Sequence, residues 1–524
     1  MEILFGKKLN RLKLLNPQKK ENDKNITISI YRNHSFEMIS SVINSFLKFS
    51  NLFAEFNFSD YDDSLNFQFK EANFQIIWLD LDRYKTNNLE DFILERANVL
   101  RTQTNSPILI ATVGKKEIII SNLPSDCYII NINKELQNFG ENIYDIAKEP
   151  FSGTKLSNKA CLEFARILGL RYIPAILQTP IKAIVVDLDN TLYKGILGED
   201  GIKNLIPNIE FQQQLKFLKE QGFFLCIASK NEEVDVKEMF DKRKDFILKL
   251  EDFTTYQINW NNKADNIIKI AKALNIGLDS ILFIDDNPAE IQNVEYLGIK
   301  TILALDNISQ ILKYYPGLLK LKTSSEDNIR SKDIQANEKR QEMLKNLSKE
   351  EYFKKLGIKL EYGINISEQI QRVAELLNKT NQFILSYVRY NETQVKKFLT
   401  DTNNILVTIK MSDNLSDSGV IAILLASKED NNLVIKELTV SCRALGRNLE
   451  DIMLPYLFNI AYKELNASKD IKILYKKGER NMPALNWLKM YSGAELEING
   501  AVILKNNENI YLDGLKIEVF NGKS

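Results

Sequence analysis

Histidine is almost missing from this chain: of 524 residues, only His34 carries an imidazole. A catalytic triad or a histidine-built metal centre must use that one residue or do without it. Cysteine is sparse too. Cys127, Cys161, Cys226 and Cys442 are scattered and form no CxxC pair, which argues against a disulfide framework or a zinc knuckle and suits a reducing cytoplasm. No run of about 18 apolar residues occurs, and the N-terminus has no apolar signal core, so neither a membrane span nor a secretory signal is expected. Net charge is also missing. The 69 basic and 69 acidic residues cancel, so no overall field draws the protein to nucleic acid or to an anionic membrane.

What remains is ordinary globular material, 26% charged and 44% apolar, long enough for three or so domains. Residues 1–178 alternate strand-like runs ("ITISIY", "FQIIWLDL", "PILIATV", "EIIIS") with polar helical stretches, the pattern of an α/β layer. Residues 179–322 repeat strand and helix around "IKAIVVDLDNT", "FFLCIAS", "ILFIDD" and "KTILAL". Short β-rich runs separated by helices predict a parallel doubly wound sheet with ligands at the carboxyl ends of its strands. Residues 323–356 are charged and helix-prone, and read as a linker. Residues 357–524 again mix strands ("ILVTIKM", "VIAILLAS", "LVIKELTV") with helices ("QRVAELLNKTNQF", "LEDIMLPYLFNIAYKEL"). The expected fold is a three-domain α/β chain.

Chemistry gathers in "AIVVDLDNTLYKGILGEDG" (183–201), where an apolar strand delivers Asp187 and Asp189 one residue apart, then Thr191. Carboxylates so close repel unless a cation or a reaction uses them. The later strand "ILFIDDNPAE" ends alike, in Asp285 and Asp286. In a parallel sheet both ends open on one edge, so the carboxylates can converge, and such hard oxygen ligands suit Mg²⁺ completed by a substrate phosphate. Between them, "IASKN" places Ser229 at a strand end and "NWNNKADNI" places Lys263 at a helix start. A hydroxyl and an ammonium are the groups that hold the oxygens of a transferring phosphoryl.

The order DxDxT, Ser, Lys, DD resembles the haloacid-dehalogenase (HAD) superfamily. "DLDNTLYKGILGEDG", "ASKN", "DFTTYQINWNNKADNI" and "LNIGLDSILFIDDNPAE" resemble its FkbH-like branch, strongly over about 180–320 and more weakly elsewhere. The resemblance implies Asp187 as a nucleophile forming an aspartyl-phosphate and Asp189 as general acid and base. It implies phosphate contacts from Thr191, Ser229, Lys230 and Asn231, with Lys263 stabilising developing charge. Mg²⁺ would lie between Asp187, the Asp189 carbonyl and Asp285, while Asp286 would orient its neighbours. Ser229 and Lys263 stand 34 positions apart, too few for a full cap domain. An open site of this kind would take its lid from a macromolecular partner or from the flanking domains.

The flanks carry resemblances of their own. "ISIYRNHSFEMI" resembles the start of an SGNH-hydrolase-like domain, with Ser35 near the nucleophile's place. That chemistry needs a histidine late in the domain and none follows, so a non-catalytic α/β module is expected. "KELTVSCRALGRNLEDIMLPYLFNIAYKE" resembles the pyrophosphate loop of GNAT acyltransferases, which implies that Arg443, Gly446 and Arg447 contact coenzyme A or a carrier protein's phosphopantetheine. FkbH-like proteins imply the loading of a glyceryl unit from 1,3-bisphosphoglycerate onto an acyl carrier protein, with a cysteine thiol holding the acyl group. Relatives often have Cys where this chain has Ala228, so Cys442, beside Arg443, is the thiol candidate and Cys226 reads as core. Two rivals stand beside this reading: a HAD phosphatase or acyltransferase of polysaccharide or sugar biosynthesis, and a binding scaffold without activity.

Overall fold

Runs of β-branched and aromatic residues set the strands. The computed structural model describes residues 2–61, 67–85, 88–114, 116, 118–120, 122–321, 336, 340, 343, 347–380, 382–441, 444, 445, 447, 449–478, 480–506 and 515–522. The chain divides into two compact units. The first comprises Met1–Gln221, Glu233–Lys249 and Asp279–Thr323, and the second Gly222–Glu232, Leu250–Leu278 and Ser324–Ser524.

The first unit opens with β1 (Lys24–Arg32), β2 (Leu52–Tyr61), β3 (Phe74–Asp80), β4 (Ile108–Val113) and β5 (Cys127–Asn131), in the sheet order β2-β1-β3-β4-β5. All four pairings are parallel. β3 and β4 are buried along their whole length, which is why they read as unbroken apolar runs rather than as alternation. The run "EIIIS" departs from expectation. Residues 118–120 form no strand, and the place beside β4 is taken by β5, ten positions later. Helix Asn158–Ile167 starts where the Ser157 hydroxyl accepts the Ala160 N–H and continues through Gly169. A Cβ there would lie 2.8 Å from the Cβ of Phe46, so only glycine lets the two helices approach this closely.

The next strands in chain order are β6 (Ala183–Val186), β7 (Tyr193–Lys194), β8 (Ile206–Pro207), β9 (Phe224–Ser229), β10 (Thr255–Ile258), β11 (Ile281–Asp285) and β12 (Lys300–Leu303). In the first unit β11 pairs in parallel with both β6 and β12, with Ile284 opposite Val186. This register sets the carboxyl ends of β6 and β11 side by side. β7 and β8 make a small antiparallel ladder just beyond β6.

In the second unit β9 and β10 pair in parallel, Ser229 opposite Ile258. Its larger sheet contains β13 (Lys359–Ile364), β14 (Asn404–Ser412), β15 (Asp417–Glu429), β16 (Asn432–Val440), β17 (Ile471–Lys476), β18 (Asn499–Leu504) and β19 (Lys516–Asn521), ordered β18-β17-β16-β15-β14-β13-β19. It is antiparallel except at β13–β19 and β16–β17. Helices Glu450–Glu464 and Met482–Ser492 bury Leu454, Phe458 and Trp487 in its core. The expected linker 323–356 lies mostly outside the described residues. Its last helix, Lys349–Leu356, is fixed by a Ser348–Glu351 capping box and stopped by Gly357 at φ 60°. The mixed α/β class with parallel sheets agrees with the sequence expectation. Among the described residues no helix is long and apolar enough to cross a membrane.

Candidate active site

β6 and β11 end together, and their carboxylates meet. The Asp187 N–H donates to the Ile284 carbonyl at 2.9 Å, which locks the two strand ends in register. Asp187, Asp285 and Asp286 each offer a carboxylate oxygen within 4.8 Å of the others. Asp187 is 4% exposed and Asp285 0%, whereas Asp286 is half-buried. The Asn287 N–H donates to Oδ1 of Asp285 at 2.8 Å as helix Pro288–Glu295 begins. Three carboxylates at this spacing form an all-oxygen donor set, which matches a hard divalent ion such as Mg²⁺. In the loop that follows β6, Thr191 is 2% exposed and its hydroxyl has no hydrogen-bond partner among the described residues. That hydroxyl is a buried polar group of the kind a phosphate oxygen would satisfy.

Asp189 plays a different part. Its Oδ1 accepts the Tyr193 hydroxyl at 2.7 Å and the Leu197 N–H at 3.0 Å. The turn that makes this reach exists because Asn190 adopts φ 52° and its side chain accepts the Gly195 N–H at 3.1 Å. Asparagine tolerates the left-handed region better than most residues. Gly195 sits at φ 109°, where a Cβ would lie 3.0 Å from Oδ2 of Asp200. Burial, then the charges of Asp189 and Asp187, push the Tyr193 phenol's pKa up, so it stays a donor.

Within the second unit, Ser229 ends β9, and its Oγ accepts from Nδ2 of Asn231 at 3.2 Å. Asn231 is buried and Lys230 half-buried. The Asn259 N–H donates to the Ser229 carbonyl at 3.1 Å, and Asn259 in turn accepts from Asn266 at 2.9 Å. This ties the strand end to helix Lys263–Leu274. Lys263 opens that helix and is only 5% exposed. Cys226, in the middle of β9, is fully buried, and burial pushes its thiol up to about 12.

Of the C-terminal candidates, Cys442, Arg443 and Gly446 lie outside the described residues. Arg447 is buried, donating to Ser418 at 3.1 Å with its Nη1 3.9 Å from Asp413. Asp413 also binds the buried Arg340 in a bidentate pair at 2.8 and 2.9 Å. The Arg447 guanidinium thus contributes to an internal ion network.

Asp286, to which the resemblance gives an orienting role, also offers a carboxylate oxygen to the cluster. Two features were not read from sequence. Tyr193 and the Leu197 amide as partners of Asp189 left no signal beyond proximity in the chain.

No family model matches the chain, and no curated protein does. Solved structures resemble parts of it. The N-terminal part of protein BF1531 from Bacteroides fragilis, containing a phosphatase domain and complexed with Mg, is 23% identical over 62% of this chain and 98% of that one, with a TM-score of 0.45. A HAD-family enzyme from Bacteroides thetaiotaomicron, in complex with magnesium and inorganic phosphate, is 16% identical over 23% of this chain and 93% of that one, with a TM-score of 0.19. An acetyltransferase of the GNAT family from Streptococcus pneumoniae is 10% identical over 28% of this chain and 96% of that one, with a TM-score of 0.21. These are likenesses of parts, at low scores.

Proposed function

We propose that the chain is a Mg²⁺-dependent phosphoryl-transfer enzyme working through an aspartyl-phosphate on Asp187. The observation that carries this reading is the meeting of Asp187, Asp285 and Asp286 within 4.8 Å at two adjacent parallel strand ends. Those three residues, with the Asp189 carbonyl, would hold the ion. When bound, it would offset the negative charge of the carboxylates and of the substrate phosphate.

The chain's own residues supply the rest. A carboxylate oxygen of Asp187 attacks phosphorus, and the bond from phosphorus to the leaving oxygen breaks. Asp189, held by Tyr193 and the Leu197 amide, gives that oxygen its proton. In the second half Asp189 takes a proton from water, which attacks phosphorus and releases phosphate from Asp187. Thr191 donates to a phosphate oxygen. On the family resemblance, Ser229, Lys230 and Asn231 bind the phosphate and Lys263 stabilises its developing charge.

A phosphate-release screen over acyl phosphates, sugar phosphates and phosphoglycerates tests the reading. Release from at least one class, abolished by EDTA and restored by Mg²⁺, is expected. No release from any class would count against it. The finer reading, which follows from the resemblance to FkbH-like proteins, is glyceryl loading from 1,3-bisphosphoglycerate onto an acyl carrier protein. The acyl group would travel on Cys442, since the buried Cys226 is held as an unreactive thiol. A glyceryl mass gain on Cys442, then on the carrier protein, is expected. An adduct on Cys226 that survives Cys442→Ala would exclude that route.

A further inference from the structure

Charge is balanced over the chain, 69 against 69, yet not around one cavity of the first unit. This cavity measures about 820 Å³, and seven cationic and three carboxylate side chains line it. The three carboxylates are each engaged by a cation of the same wall. Glu163 pairs with Arg166 at 2.5 Å, Glu135 with Arg171 at 3.1 Å and Glu141 with Lys159 at 2.7 Å. Counted as formal charges, seven cations against three carboxylates make the lining cationic by four, with Lys7, Lys8, Lys134 and Lys313 among the cations. Such a concentration in a neutral protein is a local field that draws anions.

The floor beneath is rigid. Arg166 lies 4.0 Å from the centre of the Tyr314 ring, donates to the Gly6 carbonyl at 2.8 Å and is 3% exposed. The Tyr314 hydroxyl donates to Glu163 at 2.7 Å. Helix Asn158–Ile167, helix Ile308–Tyr314 and the N-terminal segment are thus tied to one another below the cavity. The rest of the lining mixes apolar Leu9, Leu136, Phe139 and Leu162 with the uncharged polar side chains Gln137, Asn138 and Gln310. A volume of this order falls within the range that encloses small organic ligands, roughly 300–1,000 Å³, and is far larger than an inorganic anion needs.

We propose that this cavity binds a small organic polyanion of nucleotide size, its phosphate or carboxylate groups on the lysines and its apolar part against Leu9, Leu136, Phe139 and Leu162. The site shares no residue with the aspartate cluster and stands or falls independently of the phosphoryl-transfer reading. Arg166, Glu163 and Tyr314 position the wall, and the lysines make the contacts.

Fluorescence titration of the full chain with trinitrophenyl-ATP, in EDTA so that no divalent ion bridges the probe to aspartates, tests this. Saturable binding of one probe per chain is expected, weakening as salt rises. ATP should displace the probe at about a tenth of the concentration that inorganic tripolyphosphate requires, because only ATP has a part for the apolar side chains. The double variant Lys134→Glu/Lys313→Glu should bind at least about tenfold more weakly, while Lys244→Glu, an exposed lysine outside the cavity, should bind as wild type. Absence of saturable binding would overturn the proposal. So would equal loss in the Lys244 variant, no loss in the double variant, or tripolyphosphate competing as well as ATP.

Discussion

At Asp189 one carboxylate oxygen takes two donors from the same short loop, a phenol and an amide. This fixes the carboxylate's direction without a histidine. Tyr193 never touches the phosphorus in this account, so it is a positioning residue. Tyr193→Phe keeps the buried ring and deletes the hydroxyl. Loss of one hydrogen bond to a charged group costs about 1.5–3 kcal/mol. We expect kcat to fall on the order of tenfold or more with KM little changed; a change confined to KM would place Tyr193 in binding instead. Lys263 tests the other end of the chemistry. Removing a donor aimed at a transition-state oxyanion costs about 3–4 kcal/mol, or a few hundred-fold in rate. Lys263→Ala should lose that much kcat while its circular dichroism stays that of wild type. A loss below about fivefold would make the lysine structural.

Among elements, β16 holds the segment around Tyr387 through one side chain. Glu437 is fully buried and accepts backbone N–H groups from Leu385, Ser386, Val388 and Leu438 at 2.7–3.0 Å. Tyr387, at φ 57°, lets the segment curl around it. Burial pushes the Glu437 carboxyl from 4.5 up to about 7, against the pull of those four donors. The folded state therefore binds this proton more tightly than the unfolded state between about pH 4.5 and 7. Glu437's contribution is fully present below pH 4.5 and is lost as pH rises to 7, an effect on the order of 3 kcal/mol at most. Urea unfolding of wild type should show this decline, and Glu437→Gln should lack it. Parallel pH curves for the two proteins would contradict the assignment.

Across the whole molecule, what could be read in advance was what local chemistry dictates. "AIVVDLDNT" and "ILFIDD" declared strands leading into carboxylates, and Asp187 directly follows β6 while Asp285 ends its parallel neighbour β11. Asp286 lies past the last position of β11 and still offers an oxygen to the cluster, because there the loop and not the strand's alternation directs the side chain. The grip of Tyr193 on Asp189 depends on the left-handed backbone at Asn190, which composition does not announce. "EIIIS" had the residues of a strand, yet its described residues 118–120 form none, and β5 holds the place beside β4. Apolar content marks where chain can be buried, and neighbours far along the chain decide how. The cavity lysines were invisible for the same reason: they come from three separate stretches of the chain, around Lys7, around Lys134 to Lys159 and at Lys313.

The central claim is that phosphorus is bonded to Asp187 during turnover. Its most direct measurement is acid quenching of the protein during Mg²⁺-dependent turnover of the best substrate from the phosphate-release screen, followed by peptide mass spectrometry. The account predicts a phosphoryl adduct on Asp187, no adduct in Asp187→Asn, and phosphate release by that variant lower by at least about a thousandfold. Near wild-type release by Asp187→Asn, or a phosphoryl group on another residue, would contradict it.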